Sequence, residues 1–136
     1  MTNATAAITR LSPRAFCSFL SDHGIKRFSL VWDSTANRLI ASHPILEPLS
    51  DMLQNDKRGD FEQHEGVFAQ VSKDTGTLQG AFIHRTNRGQ AAGGVRYWTY
   101  ETIEDYIRDG LRLAKGMTHK NALALFFGSP TLVRNF

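Results

Sequence analysis

The sequence predicts an α/β (α+β) domain built on a small mixed β-sheet flanked by helices. Three observations lead there. Short strand-like runs recur between residues 26 and 97, several of them joined by turn-forming stretches. Segments with apolar residues at helical spacing stand before, between and after those runs. The length of 136 residues suits one domain with its own core and leaves no room for two full ones.

The first element is a helix. Ser12-Pro13 places a capping residue before proline, and "RAFCSFLSDHG" carries Phe16, Phe19 and Leu20 on one side before Gly24 ends it. "KRFSLVW" and "RLIAS" are strand-like runs around "DSTAN", as in a hairpin. "ILEPLSDMLQND" reads as a single helix despite Pro48, with Ile45, Leu49, Met52 and Leu53 on one side. The stretch "NDKRGDFEQHEG" is the most loop-like of the chain and marks a boundary, so residues 1–60 are expected to form an α-β-β-α extension. A second hairpin turns at Asp74-Thr75-Gly76, with Val67, Ala69 and Val71 alternating on one side of its first strand and Ala81 and Ile83 on the second run. "GGVRYW" is a further short strand. The clearest helix follows in "TYETIEDYIRDGLRLAKGMTHKNALA", where Ile103, Tyr106, Ile107, Leu111, Ala114 and Met117 form an apolar stripe and Thr102 or Thr99 is the N-cap. Its acids come early and its bases late, as the helix dipole favours.

Composition narrows the function. With 41% hydrophobic and 21% charged residues and no apolar run of membrane-spanning length, the chain reads as a soluble globular protein with no membrane partner. The polar opening "MTNATAAITR" is a poor secretory signal, which implies the cytoplasm. The net charge is +3, but Lys57, Arg58, Arg85, Arg88, Arg96, Arg108, Arg112, Lys115 and Lys120 are interleaved with acids or loops. They read as a solvated face, with no nucleic-acid partner. Cys17 stands alone, so no internal disulfide or cysteine-based zinc cluster forms, and it reads as a buried small apolar residue. His23, His43, His64, His84 and His119 are spread too widely to indicate a metal site.

Two motifs point to a binding site: the glycine turn "RGQAAGGVRYW" and, on the helix after it, "KGMTHKNA". Glycine lets backbone approach a ligand closely. Met117 and Lys120, three residues apart, share a helix face, where one suits an apolar side chain and the other a carboxylate. On the residues alone, such a Gly93-Gly94 pair is more often a simple turn or bulge, and a lysine placed like Lys120 more often a solvated helix-end cation.

The stretch from about Glu65 to Ala124, "EGVFAQVSKDTGTLQGAFIHRTNRGQAAGGVRYWTYETIEDYIRDGLRLAKGMTHKNALA", resembles the N-terminal, dimerisation and substrate-binding domain of the Glu/Leu/Phe/Val dehydrogenase family. It is most similar to the leucine, phenylalanine and valine branch. The resemblance implies oxidative deamination of an L-amino acid to a 2-oxo acid and ammonia, with NAD as the hydride acceptor bound by a separate Rossmann domain. It also implies a homo-oligomer. Gly93 and Gly94 resemble the glycines that line the substrate pocket, Met117 the apolar floor under the side chain, and Lys120 the lysine that holds the substrate carboxylate.

Past "KNA" the sequence departs from the family. The pattern there continues into a glycine-rich turn ending in a second, catalytic lysine, whereas "LFFGSPTLVRNF" contains none. Arg134 is no substitute, because guanidinium stays protonated. No G-x-G-x-x-G occurs, so no cofactor binding is expected of this chain. The expected division is therefore an extension over 1–60, a partial dehydrogenase domain over 61–124 and a divergent tail over 125–136. The tail is either incidental or a terminal strand over "LALFF" at a sheet edge. The functional expectation is a truncated substrate-binding and oligomerisation domain, inactive by itself, that binds an L-amino acid weakly. The alternative is a non-catalytic dimerisation or regulatory module that pairs with itself or with full-length subunits.

Overall fold

The computed structural model of the chain describes residues 8–86, 95–123 and 130–134, and side chains as far as Lys120. Helix α1 (Pro13–Asp22) starts as its sequence dictates: the Ser12 hydroxyl accepts from the Ala15 N–H at 3.1 Å, and proline occupies the first turn. The chain leaves it through Gly24, whose φ of +67° suits a residue without Cβ. Phe16, Cys17 and Leu20 are buried on its inner face. Burial also pushes the Cys17 thiol pKa up, as fits an apolar filler rather than a nucleophile.

Strands β1 (Arg27–Asp33) and β2 (Arg38–Ala41) form the first hairpin. Its turn is fixed by Asp33, whose Oδ1 accepts from the N–H groups of Thr35 and Ala36 at 2.9 and 3.2 Å. The next helical segment differs from the single helix expected. A short 3-10 turn, Pro44–Leu46, precedes α2 (Glu47–Gln54). The proline nitrogen of Pro48 has no proton to give, so it is accommodated only in the first turn, and the α-helix begins just before it. Leu46, Leu49 and Leu53 are consequently the buried set, while Ile45 is exposed. Gln54 closes this unit by accepting from the Leu39 N–H at 2.9 Å, which occupies a donor of the edge strand β2.

Strands β3 (Gly66–Val71) and β4 (Leu78–Ile83) form the second hairpin, followed by β5 (Val95–Tyr97), α3 (Ile103–Leu123) and β6 (Pro130–Arg134). Thr102 caps α3 by accepting from the Asp105 N–H. All six strands lie in one sheet ordered β2-β1-β3-β4-β6-β5. Neighbours are antiparallel except β5 and β6, which makes the sheet mixed. Because β1 pairs with both β2 and β3, the first sixty residues and those after them share one sheet. The expected "LALFF" strand falls mostly outside the described residues. Leu123 ends α3, residues 124–127 lie outside the described residues, and the strand Pro130–Arg134 is internal rather than at an edge.

The helices cover one face of this sheet. Phe28, Leu30, Leu39, Val67, Ala69, Leu78 and Phe82 point into that layer and are buried with Ile103, Tyr106, Ile107, Leu111 and Ala114 of α3. Register decides the parity of β4. Val67 pairs with Phe82, Ala69 with Gly80 and Val71 with Leu78, so Ala81 and Ile83 lie on the face opposite Val67, Ala69 and Val71.

Helix and sheet approach each other closely at Gly110. A Cβ built there would stand 2.5–2.6 Å from three atoms of the Phe82 ring, which is itself fully buried. Gly110→Ala therefore destabilises the domain. The helix-propensity gain of about 1 kcal/mol is outweighed by overpacking of about 1–3 kcal/mol. A urea-unfolding midpoint equal to or above that of the wild type would contradict this.

The cationic face expected from composition is partly buried instead. Arg108 lies inside the fold, its Nη1 2.7 Å from Asp56 Oδ2 and 3.1 Å from Asp60 Oδ2, with Glu104 3.4 Å from its Nε. Arg112 adds a two-pronged contact to Asp60 at 2.6 and 3.1 Å. The charged loop that reads as a boundary is thereby bolted to α3.

Candidate functional site

Of the four residues singled out from the sequence, α3 places two. Met117 is half-buried and Lys120 exposed, at positions that project to neighbouring directions on the last turns of the helix. Lys115, one turn earlier, pairs with Glu62 at 3.1 Å, whereas among the described residues Lys120 makes no ion pair. Gly93 and Gly94 lie outside the described residues. What the structure does show is how the chain is held up to Thr86, and which side chains of α3 stand near that point.

The exit of β4 is held by side chains that the sequence reading passed over. Glu65 receives two hydrogen bonds from Thr86, from its N–H at 2.9 Å and from its hydroxyl at 2.6 Å. Arg85 donates to the carbonyls of Gln63, His84 and Glu62 at 2.6, 2.8 and 2.9 Å. These contacts lock residues 62–65 to 84–86, so the segment from residue 87 onward starts from a fixed point. No short motif announces this clamp; only strand pairing brings the two stretches together.

Three histidines converge beside it. His64 and His84 stand with ring centroids 4.6 Å apart, and His119, the residue before Lys120, is 6.5 Å from His84. They arrive from a loop, a strand end and a helix, which is why their spacing in sequence hid the cluster. His64 is a satisfied core group: its Nε2 donates to the Leu111 carbonyl at 2.8 Å, and its Nδ1 accepts from the Glu62 N–H at 3.1 Å. Burial is the main reason its pKa falls to about 4, with the neighbouring His84 and Arg85 acting in the same direction. His84 is buried too, and neither ring nitrogen has a hydrogen-bond partner; its Nε2 lies 3.5 Å from Glu62 Oε2 without hydrogen-bond geometry. Burial lowers its pKa, and Arg85 adds to the effect. Among the described residues no group of three or more His, Cys, Asp or Glu is arranged to hold a metal ion, and no helix is long and apolar enough to cross a membrane.

A polar cavity of about 580 Å³ opens between β5 and α3 and is lined by Arg96, Trp98, Tyr100, Arg108, Asp109 and Arg112. Asp109 is its organising group, with Arg96 Nη1 at 2.8 Å and the Tyr100 hydroxyl donating to it. The Tyr100 pKa is pushed up by burial and by the Asp109 carboxylate. These pairs tie the strand after the glycine segment to the helix that carries Met117 and Lys120. On α3 itself, His119 stands with its ring centroid 6.5 Å from that of His84 at the β4 exit, and Asp109 holds Arg96 of β5.

Part of the chain matches known proteins. Residues 56–129, more than half of the chain, match the family model described as Glu/Leu/Phe/Val dehydrogenase, dimerisation domain. The match starts upstream of the stretch read from the sequence and runs five residues past Ala124. Leucine dehydrogenase of Bacillus cereus is 52% identical over 64 residues, and that of Bacillus subtilis (strain 168) 51% over 65. Phenylalanine dehydrogenase of Bacillus thermotolerans is 42% identical over 64 residues. These matches cover 47%, 48% and 47% of this chain and 17% of each relative. The chain thus matches about a sixth of the length of each. Among solved structures, L-tryptophan dehydrogenase from Nostoc punctiforme matches with a TM-score of 0.49 and 36% identity, over 52% of this chain and 22% of that one. Through the segment that forms β3, β4, β5 and α3, the chain belongs to the Glu/Leu/Phe/Val dehydrogenase family and carries its dimerisation domain.

Proposed function

We propose that these 136 residues are the substrate-binding and oligomerisation part of an NAD-dependent L-amino-acid dehydrogenase of the cytoplasm, and that by themselves they bind without turning over. The observation that carries the reading is α3. It holds Met117 and Lys120 on one rigid element, Lys120 exposed and Met117 half-buried, beside His119, whose ring centroid is 6.5 Å from that of His84 at the β4 exit. A cation on a fixed helix suits a carboxylate, and a neighbouring thioether suits an aliphatic side chain. Gly93 and Gly94 are the remaining pocket residues in this proposal. Its reaction class is oxidative deamination, because the relatives are leucine, phenylalanine and valine dehydrogenases.

Nothing in these residues takes the part of a catalytic base or of a nucleotide site: no lysine follows Lys120, and no G-x-G-x-x-G occurs. NAD in this proposal belongs to the full-length family enzymes. The expected result is weak binding of L-leucine or its 2-oxo acid, with a dissociation constant on the order of millimolar, seen as chemical-shift changes at Lys120 and Met117. Lys120→Ala weakens it by about tenfold or more. Reduction of NAD by the chain with leucine, phenylalanine or valine above a protein-free blank would overturn the claim of no turnover; unaltered binding by Lys120→Ala would overturn the site. A second reading, a non-catalytic dimerisation or regulatory module pairing with itself or with full-length subunits, draws on the same family description. A sample that is monomeric and never co-assembles with a full-length subunit excludes it.

A further inference from the structure

On the face of the sheet away from the helices, side chains stand in cross-strand rows about 7 Å apart. Ser29, Phe68 and Ala81 form one such row, and Arg27, Gln70 and Gln79 the next. Phe68 is the one large side chain of its row, and it leans away from the second: its ring lies over Gly66, where a Cβ would sit 2.8 Å from the ring edge. The room that an upright ring would fill is left open above the small side chains of Ser29 and Ala81. A depression of about 450 Å³ results, lined by Phe68 on one side and by Arg27, Gln70 and Gln79 on the other. Small-molecule sites have volumes of this order.

The groups around it define the ligand. Arg27 is exposed, no carboxylate lines the depression, and among the described residues Arg27 makes no ion pair. Asp33, at the other end of the same strand face, stands opposite Arg38, so its charge is matched there and the Arg27 end is left positive. A free guanidinium offers its planar fork to a carboxylate. Phe68, 44% exposed, offers its ring to a flat apolar body. Gln70 Nε2 donates to Gln79 Oε1 at 3.1 Å, which fixes both amides at the polar border. With no acid in the lining, nothing there pairs with an α-ammonium, which sets the ligand apart from an amino acid.

We propose that this depression binds a small aromatic carboxylate, its acid group on Arg27 and its ring against Phe68. The site lies across the sheet from α3 and its Lys120, so it is separate from the amino-acid site proposed above and neither reading depends on the other. It also gives β1, upstream of the matched residues 56–129, a part in ligand binding.

Titration of naphthoate into the isotope-labelled whole chain, followed by NMR, tests it. The expected result is saturable shifts at Ser29, Phe68 and the side-chain amides of Gln70 and Gln79, with a dissociation constant on the order of a millimolar. Naphthamide, which has the same shape without the charge, binds about tenfold or more weakly, and Arg27→Gln weakens naphthoate by a similar factor. Lys120→Ala leaves naphthoate binding unchanged. Because Arg27 is exposed and unpaired among the described residues, Arg27→Gln keeps the wild-type thermal midpoint, which separates a lost ligand contact from a lost fold. Equal binding of naphthamide and naphthoate, or indifference to Arg27→Gln, overturns the proposal. Signals of this face that respond to protein dilution and not to naphthoate overturn it in favour of a second copy covering the sheet. Binding lost in Lys120→Ala and kept in Arg27→Gln overturns it as well, and assigns the ligand to the α3 site.

Discussion

Arg108→Leu costs the domain about 3–5 kcal/mol of stability, the usual effect of removing one partner from a buried charge cluster. The side chains of Asp56 and Asp60 are only 3% and 9% exposed, and Arg108 bonds both. Without it, Asp56 keeps only backbone donors, the N–H groups of Arg58 and Asp60, while Asp60 keeps Arg112. Burial by itself raises the Asp60 pKa, and the hydrogen bonds from Arg112 and Arg108 more than reverse it, holding the carboxyl below its ordinary value. The variant therefore also takes up protons on folding in mildly acid solution, where the wild type does not. Urea unfolding at pH 7 measures the loss, and Arg108→Leu/Asp56→Asn recovers part of it by removing the orphaned charge. A loss below about 1 kcal/mol would mean that this cluster behaves like an exposed one.

Lowering the pH from 7.5 to 4 weakens the domain before its carboxylates begin to titrate. His64 has a folded-state pKa of about 4 against an unfolded value of 6.5, so the folded state prefers the neutral ring. Its contribution is fully present above pH 6.5 and declines as the pH falls from there toward 4. A shift of that size corresponds to about 3 kcal/mol. His84 acts with the same sign, while Glu62 opposes it by favouring the charged rings. Asp56 and Asp60, whose pKa values are lowered, add a separate loss only below about pH 4. His64→Gln keeps a donor for the Leu111 carbonyl and an acceptor for the Glu62 N–H. It should flatten the profile between pH 6.5 and 4. Unfolding midpoints that are level from pH 7.5 to 5 in the wild type would refute the assignment.

Local patterns in the sequence proved good guides wherever a structure is specified by neighbours. The Ser12-Pro13 cap, the Asp33 turn, the Asp74-Thr75-Gly76 hairpin and the stripe of α3 depend on contacts within a few residues, and each is where periodicity and turn chemistry put it. What the sequence concealed depends on long-range pairing. Arg108 reads as one more cation on a helix, because Asp56 and Asp60 are about fifty positions away in a stretch whose composition suggests only a loop. The parity of β4 is set by its register with β3, and Gly80 and Phe82 rather than Ala81 and Ile83 face α3. The histidine cluster is legible only once the loop, the β4 end and α3 meet. Met117 and Lys120 were singled out by their shared helix face and weighted by likeness to a family, a signal carried by residue identity.

The place of β6 between β4 and β5 sets the order in which the chain can close. Strand β5 is made before β6 yet reaches the sheet only through it, by a parallel pairing with α3 intervening. Until Pro130–Arg134 has emerged from the ribosome, one edge of β4 has no partner and β5 has no neighbour to bond. The nascent domain is thus held with an open hydrogen-bonding edge next to the exposed side chains of Val95, Tyr97 and Trp98 for the whole synthesis of α3. Completion is a late, non-local event, and the interval before it is the one in which a chaperone has something to hold.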